Sequence, residues 1–168
     1  MYFEMIQQFN KMLGNLEAIL AKTIHHAERR SFDVNNFLGM RLTPDMFPLI
    51  RQIQIATDTA KAAAAGLAGK EMPQYEDNET TLTQIVDRLH STRTYLGSFK
   101  ATDFAGAEAR KIKLPNAPGK AMRASEYMLQ RAIPNFYFHV ATAYGLLRQG
   151  GVDLGKKDFL GELPVIDL

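Results

Sequence analysis

Tyr2, Met5, Ile6, Phe9, Met12, Leu13, Leu16, Ile19, Leu20 and Thr23/Ile24 recur at spacings of three and four. This single apolar stripe predicts a helix of about 28 residues, roughly 40 Å long at 1.5 Å per residue. Gln7, Gln8, Lys11, Asn15 and Lys22 fill much of the other side. A stripe of that length must be buried against something. Its spacing is close to heptad, so a coiled coil is one solution. Further apolar segments follow in the same chain, which favours an intramolecular bundle.

Three more segments carry such stripes. Thr43-Pro44-Asp45 reads as a helix start, with Thr43 as cap, Pro44 at the first helical position and Asp45 against the positive helix end. This second helix, 44–69, would bury Met46, Leu49, Ile50, Ile53, Thr57, Ala60, Ala64 and Leu67, and Gly69 would end it. Asn78 is the expected cap of a third helix with Leu82, Ile85, Val86, Leu89, Thr92 or Arg93, Leu96 and Phe99 on its stripe. Arg93 is expected to bury its stem and keep its head in water. A fourth helix begins at Ser125-Glu126 and ends at Gly150-Gly151, with Leu129, Ile133, Phe136, Tyr137, Val140, Tyr144 and Leu147 inward. Pro134 lies inside it, frees the carbonyl of Gln130 and predicts a kink.

Between the third and fourth helices, Arg110–Leu114 alternates polar and apolar, Pro115–Gly119 is rich in turn formers, and Lys120–Arg123 can return. This predicts a small β-hairpin. The expected fold class is therefore all-α: a four-helix bundle with a hairpin between helices 3 and 4, as one domain over 1–168. The tail 151–168 is expected to be extended and anchored on the bundle by Leu154, Phe159, Leu160 and Leu163.

Composition removes whole classes of chemistry. The 168 residues are 46% hydrophobic and 23% charged, which is incompatible with intrinsic disorder. The absence of cysteine excludes disulfides, thiolate metal sites and thiol nucleophiles. No apolar run reaches the ~18 residues of a membrane span, and the opening MYFEMIQQFNK lacks the marks of a secretory signal, so no membrane partner and a cytoplasmic location are expected. The net charge of +2 does not argue for nucleic acid. Arg110, Lys111, Lys113, Lys120 and Arg123 make the hairpin basic, but without interleaved aromatics or a reading helix; a solvated hairpin and no nucleic-acid partner are expected. No phosphate loop, HExxH, Gly-x-Ser-x-Gly or Glu-x-x-His pattern occurs.

The polar candidates are few. Projected at 100° per residue, His25 falls on the outer face of the first helix, and His26 and His90 on the flanks of their stripes; all three read as surface or boundary residues. His139 lies about 100° from the centre of its stripe, with Asn135 and Thr142 on the same side at spacings of four and three. That row can hydrogen-bond a ligand or close an internal network. On the second helix Arg51, Gln54, Asp58 and Lys61 share one side. They read first as a salt-bridged solvated face, and second as an oxygen-rich site if Asp58 and Gln54 face His139.

The string Pro134-Asn135-Phe136-Tyr137-Phe138-His139-Val140-Ala141-Thr142-Ala143-Tyr144, with Leu147-Arg148 and Gly151–Gly161 after it, resembles the end of a bacterial family grouped with the DinB-like (YfiT-like) metalloenzyme superfamily. Asp45–Leu49 with Gln52, Gln54 and Ala56, and the opening MYFEMIQQF, resemble it too, so the likeness covers essentially the whole chain. It implies a DinB-like four-helix bundle and a homodimer, for which the alanine-rich second helix offers a flat surface. Metal-binding members of the superfamily share three histidines, one on the second helix and an HxxxH pair on the fourth, a spacing that puts two imidazoles on one face. Here His139 matches the first of the pair, Ala143 stands at the second, and 44–69 contains no histidine. The resemblance thus carries over the scaffold and a candidate pocket beside His139, with His139, Asn135, Thr142, Gln54 and Asp58 as its candidate residues. The expectation is small-molecule binding or a dimeric interaction role with no metal or other cofactor. The alternative is a metal-dependent transferase or hydrolase in which His139 and Asp58 hold Ni, Zn or Fe.

Overall fold

The computed structural model describes residues 1–114 and 117–167. Pro115 and Asn116, part of the expected hairpin turn, and Leu168 lie outside the described residues. The first helix, α1, spans Tyr2–Arg29, and the residues of its stripe from Tyr2 to Thr23 are buried except Met5, which is partly so. A 3-10 turn, Val34–Phe37, follows, capped by Asp33, whose carboxylate accepts from the Asn35 N–H at 2.9 Å.

The second helix, α2, spans Leu49–Ala68, starting five residues later than the Thr43-Pro44-Asp45 pattern predicts. The reason is Pro48. A helix begun at Pro44 would place Pro48 one turn in, where its ring clashes with the carbonyl four residues back and supplies no N–H. Pro48 is instead the N-cap, in extended conformation, and Thr43 bonds its own neighbour Asp45 at 2.6 Å. Gly69 ends the helix as expected, at φ 68°, where a side chain is strained. Within the run Ala62–Ala65, Ala63 and Ala64 are fully buried in the bundle while Ala62 and Ala65 border hollows beside it, so the run is largely interior packing and not a flat open surface. It lets α2 lie close against the fourth bundle helix, its main partner.

The third helix, α3, spans Leu82–Gly97. Its cap is Thr81, not Asn78: the Thr81 hydroxyl accepts from Gln84 N–H, and the Gln84 side chain accepts from Thr81 N–H at 3.0 Å. Strands β1 (Lys111–Lys113) and β2 (Ala121–Arg123) form the antiparallel hairpin, pairing Lys111 with Arg123, Ile112 with Met122 and Lys113 with Ala121. Ile112 seats the hairpin on α2 at Gly66, where a Cβ would come within 3.1 Å of its side chain.

The fourth bundle helix is built from three pieces: α4 (Ala124–Tyr127), a π turn (Met128–Ala132) and α5 (Ile133–Gln149). The missing N–H of Pro134 is thus accommodated by a one-turn change of hydrogen-bonding pattern just before it. A π turn inserts an extra residue and rotates everything upstream relative to α5. That is why Leu129, expected inward, is 64% exposed while Met128 is fully buried. The tail is not simply extended. It contains a short helix, α6 (Lys156–Leu160), tied to α1 by Asn15 Nδ2 donating to Phe159 O at 2.9 Å and by a Lys22–Asp158 ion pair at 2.6 Å. Leu154 is buried and Phe159 packs on Tyr144, whereas Leu160 and Leu163, expected as anchors, are exposed.

The core is continuous between the helices, with Phe9 of α1 stacked on Phe136 of α5 at 4.2 Å between ring centroids. Each such fully buried large side chain contributes about 1.5–3 kcal/mol relative to exposure. Arg93 follows the expected snorkelling in part: its side chain is 40% exposed and pairs with Glu17, while the guanidinium lies against Gly14 and its Nε is buried without a partner among the described residues. His26, expected at the boundary, is buried and packs edge-on against Phe32 and Phe37, whereas His25 and His90 are exposed as expected.

Candidate functional site

His139 projects from α5 toward α2 and is buried. Its Nδ1 lies 2.7 Å from Gln52 Oε1 of α2. The amide of Gln52 is oriented by its other end, because Gln52 Nε2 donates to Phe47 O at 2.9 Å and a carbonyl only accepts. Gln52 Oε1 is therefore an acceptor, and His139 Nδ1 carries the proton. Nε2 is left with its lone pair and makes no hydrogen bond among the described residues. Burial, reinforced by the positive charge of Arg51, holds the imidazole below its ordinary pKa, so it is neutral near pH 7.

His139 lines a cleft of about 500 Å³ between α2, the loop 70–78 and the fourth bundle helix. Asp58, Lys61, Tyr75, Arg131 and Asn135 line it as well. Asn135 is oriented by the same logic as Gln52. The Thr59 hydroxyl donates to Ile55 O at 2.7 Å, so its lone pairs accept from Asn135 Nδ2 at 2.7 Å. The Asn135 carbonyl, which has no partner among the described residues, is thereby the free end. The cleft thus presents acceptors from His139, Asn135 and Asp58, and a cation from Arg131.

Asp58 and Lys61, on one wall of the cleft, belong to an ion cluster that lies behind it. Arg88 of α3, almost completely buried, donates to Asp58 at 2.7 Å, to Asp77 at 2.7 Å, to Glu79 at 2.9 Å and to Thr57 Oγ1 at 2.8 Å. Lys61, also fully buried, pairs with Asp58 at 3.0 Å, donates to Pro73 O at 3.1 Å and sits 3.2 Å from the centroid of the Tyr75 ring. Arg51 closes the network on Gln54 and Asp77, both at 2.7 Å, and Gln54 donates to Glu79 at 2.7 Å. Burial pushes the Asp77 and Glu79 carboxyls up. For Asp77 the hydrogen bond from Arg51 and the charge of Arg88 outweigh this, and for Glu79 the hydrogen bonds from Arg88 and Gln54 do, so both end below the ordinary range. Burial pulls Lys61 down, and Asp58 only partly restores it.

The expected row on α2 is therefore not a solvated face: Gln54 and Lys61 are buried and Asp58 is shared between two cations. Of the five candidate residues, the cleft brings together His139, Asn135 and Asp58. Gln54 lies behind it, in the ion cluster. Thr142 donates to Phe138 O on its own helix at 2.7 Å and does not line the cleft. Sequence reasoning missed Gln52, Tyr75, Asp77, Glu79 and Arg88. Only Arg88 left a signal: three residues after Ile85 and four before Thr92, it puts a charge on the buried stripe, which requires counter-charges nearby.

The three-imidazole arrangement does not fit here. Ala143, at the second position of the pair, is fully buried in the bundle. Asp58 already has Arg88 and Lys61 against one oxygen, so a divalent ion there would face two fixed positive charges. Among the described residues no three His, Asp or Glu side chains are placed to hold a metal ion together.

The family described as a domain of unknown function, DUF1993, matches residues 1–160. The chain belongs to this family. Among solved structures it is similar to the crystal structure of a DinB family member protein from Shewanella denitrificans, at 45% sequence identity over 97% of this chain and 93% of that one, with a TM-score of 0.92. No curated protein matches it. The DUF1993 chain is thus a DinB-like four-helix bundle with a hairpin. No helix among the described residues is long and apolar enough to cross a membrane.

Proposed function

We propose that the cleft between α2 and the fourth bundle helix binds a small polar molecule, and does so without a metal ion. The observation that carries this reading is the convergence of oriented polar groups on one cleft. His139 Nε2 and the Asn135 carbonyl are turned toward it by fixed partners on α2, which reduces the ordering cost of binding. The ligand brings a hydrogen-bond donor to His139. The rival reading is a metal-dependent transferase or hydrolase, and the bare Nε2 is its one support; the cations around Asp58 weigh against it. We further place the protein in the cytoplasm as a homodimer, with Phe138 and Leu129, both exposed on the fourth bundle helix, as apolar surface for the partner copy.

A thermal-shift screen with amino acids, dipeptides, nucleosides and sugar phosphates tests the reading. Compounds should stabilise the wild type and lose that effect in His139→Ala and Asn135→Ala. At a ligand concentration of ~100 Kd the stabilisation is about 2.7 kcal/mol. Compounds that stabilise all three proteins equally would contradict it.

A further inference from the structure

The side chains that the fourth bundle helix gives to the His139 cleft are Tyr127, Arg131, Asn135 and His139. They stand at successive spacings of four. In an unbroken α-helix each step of four overshoots a full turn by about 40°, so from Tyr127 to His139 the row would fan out over about 120°. The π turn Met128–Ala132 lies inside the row and absorbs an extra residue, which sets the upstream part back by about 100°. Tyr127 and Arg131 thereby come onto the face of Asn135 and His139. The rotation that turns Leu129 outward is the one that brings these two polar side chains to the cleft.

Both arrive without partners. Tyr127 is 5% exposed. Burial, opposed only in part by the charge of Arg131, raises its phenol above the ordinary value, so it stays protonated at neutral pH. Its hydroxyl makes no hydrogen bond among the described residues, although a hydroxyl on so buried a side chain is ordinarily satisfied. Arg131 makes no ion pair among the described residues. The other charges at the cleft and behind it are matched, with Arg51, Lys61 and Arg88 against Asp58, Asp77 and Glu79. Arg131 is thus the uncompensated charge among the described residues that line the cleft.

A single positive charge is balanced by a monoanion. A carboxylate meets the planar fork of a guanidinium with two parallel hydrogen bonds and keeps a lone pair for a phenol hydroxyl. A phosphate dianion would add a second negative charge in a cleft that already holds Asp58 and offers it no second free cation. At the other end of the row the Asn135 carbonyl and His139 Nε2 only accept, and call for a donor. Arg131 and His139 lie two turns apart, roughly 12 Å along the axis at 1.5 Å per residue. The carboxylate and the donor therefore belong at opposite ends of the ligand and not on neighbouring atoms.

We propose that the ligand of the cleft is a small monocarboxylic acid, with its carboxylate on Arg131 and the Tyr127 hydroxyl and an O–H or N–H donor at its far end on the Asn135 carbonyl and His139 Nε2. The proposal rests on the reading of the His139 cleft as a ligand site and names the chemistry of that ligand.

Three probes separate the two ends: ω-hydroxyhexanoate carries both groups, hexanoate only the carboxylate, and hexanediol only hydroxyls. Nuclear magnetic resonance shifts of the full chain should change saturably with ω-hydroxyhexanoate at Tyr127, Arg131, Asn135 and His139. Hexanoate and hexanediol should each bind about tenfold more weakly. Arg131→Gln should remove the advantage over hexanediol and keep the advantage over hexanoate. Tyr127→Phe should reduce the same advantage in part, and His139→Ala should do the converse, all with helical circular dichroism unchanged. Equal binding of hexanediol and ω-hydroxyhexanoate overturns the proposal, as does tighter binding of hexyl phosphate than of hexanoate. Shift changes scattered over surface lysines, or no saturable change up to the solubility limit, overturn it too. A His139-dependent compound that binds Arg131→Gln as well as the wild type overturns the carboxylate assignment and leaves the cleft reading standing. Carboxylates that need Arg131 but bind His139→Ala and Asn135→Ala unchanged overturn the far end of the proposal, together with the reading of His139 as a ligand group.

Discussion

His139 Nδ1 and Gln52 Oε1 are 2.7 Å apart, and Gln52 is itself pinned by Phe47 O at 2.9 Å. This two-step relay fixes the tautomer of the one histidine that lines the cleft. Imidazole nitrogen shifts should therefore show His139 protonated at Nδ1 and bare at Nε2. In Gln52→Leu the Nδ1 proton and the Phe47 carbonyl both lose their partner, at a cost of about 1–3 kcal/mol in urea denaturation. An unchanged tautomer and unchanged stability in that variant would contradict the relay.

The same geometry sets a pH dependence. Burial, then Arg51, lowers the folded-state pKa of His139, so the unfolded chain takes up its proton first as pH falls. The contribution of neutral His139 is complete above the ordinary imidazole value of about 6.5 and declines as pH drops from there through the folded pKa. Denaturation curves between pH 8 and about 5 should show this decline in the wild type and a weaker one in His139→Asn. A second decline, from Asp77 and Glu79, belongs below the ordinary carboxylate range of about 4, because both are depressed in the folded state.

Arg88→Met removes the one cation shared by Asp58, Asp77 and Glu79. Breaking a fully buried ion pair costs about 3–5 kcal/mol, but Asp58 and Asp77 are about a third exposed and water screens them, so about 2–3 kcal/mol is expected. Asp77→Asn should cost under about 1 kcal/mol, since Arg88 keeps two carboxylates. Chemical denaturation of the two variants checks the ordering, and wild-type stability in both would show that the cluster contributes nothing.

Light scattering at micromolar concentration should give the mass of a dimer, and Phe138→Asp, at a side chain 54% exposed, should shift it toward the monomer. A monomeric wild type would remove the dimer from the account.

The bundle was legible because each of its four stripes repeats locally: Tyr2 to Thr23 on α1 and Leu82 to Leu96 on α3 can be followed without any knowledge of the partner helix. The errors came where a local feature had a non-local or cooperative consequence. Pro48 moved the start of α2, and the π turn at Met128–Ala132 rotated Leu129 outward. At the site, His139 and Asn135 were visible as a row, whereas Thr142 belongs to the same row and turns back on its own helix. The ion cluster joins a helix residue, Arg88, to the loop residues Asp77 and Glu79, a pairing that carries no period. Gln52 gave no sign of its role, because an amide on a buried face reads the same whether it orients a histidine or fills a gap.

The central claim is that His139 serves as an oriented, metal-free acceptor, and elemental analysis of protein purified without a histidine tag tests it most directly. Wild type and His139→Ala should both carry nickel, zinc and iron far below one ion per chain. A stoichiometric metal ion in the wild type that is lost in His139→Ala would contradict the claim.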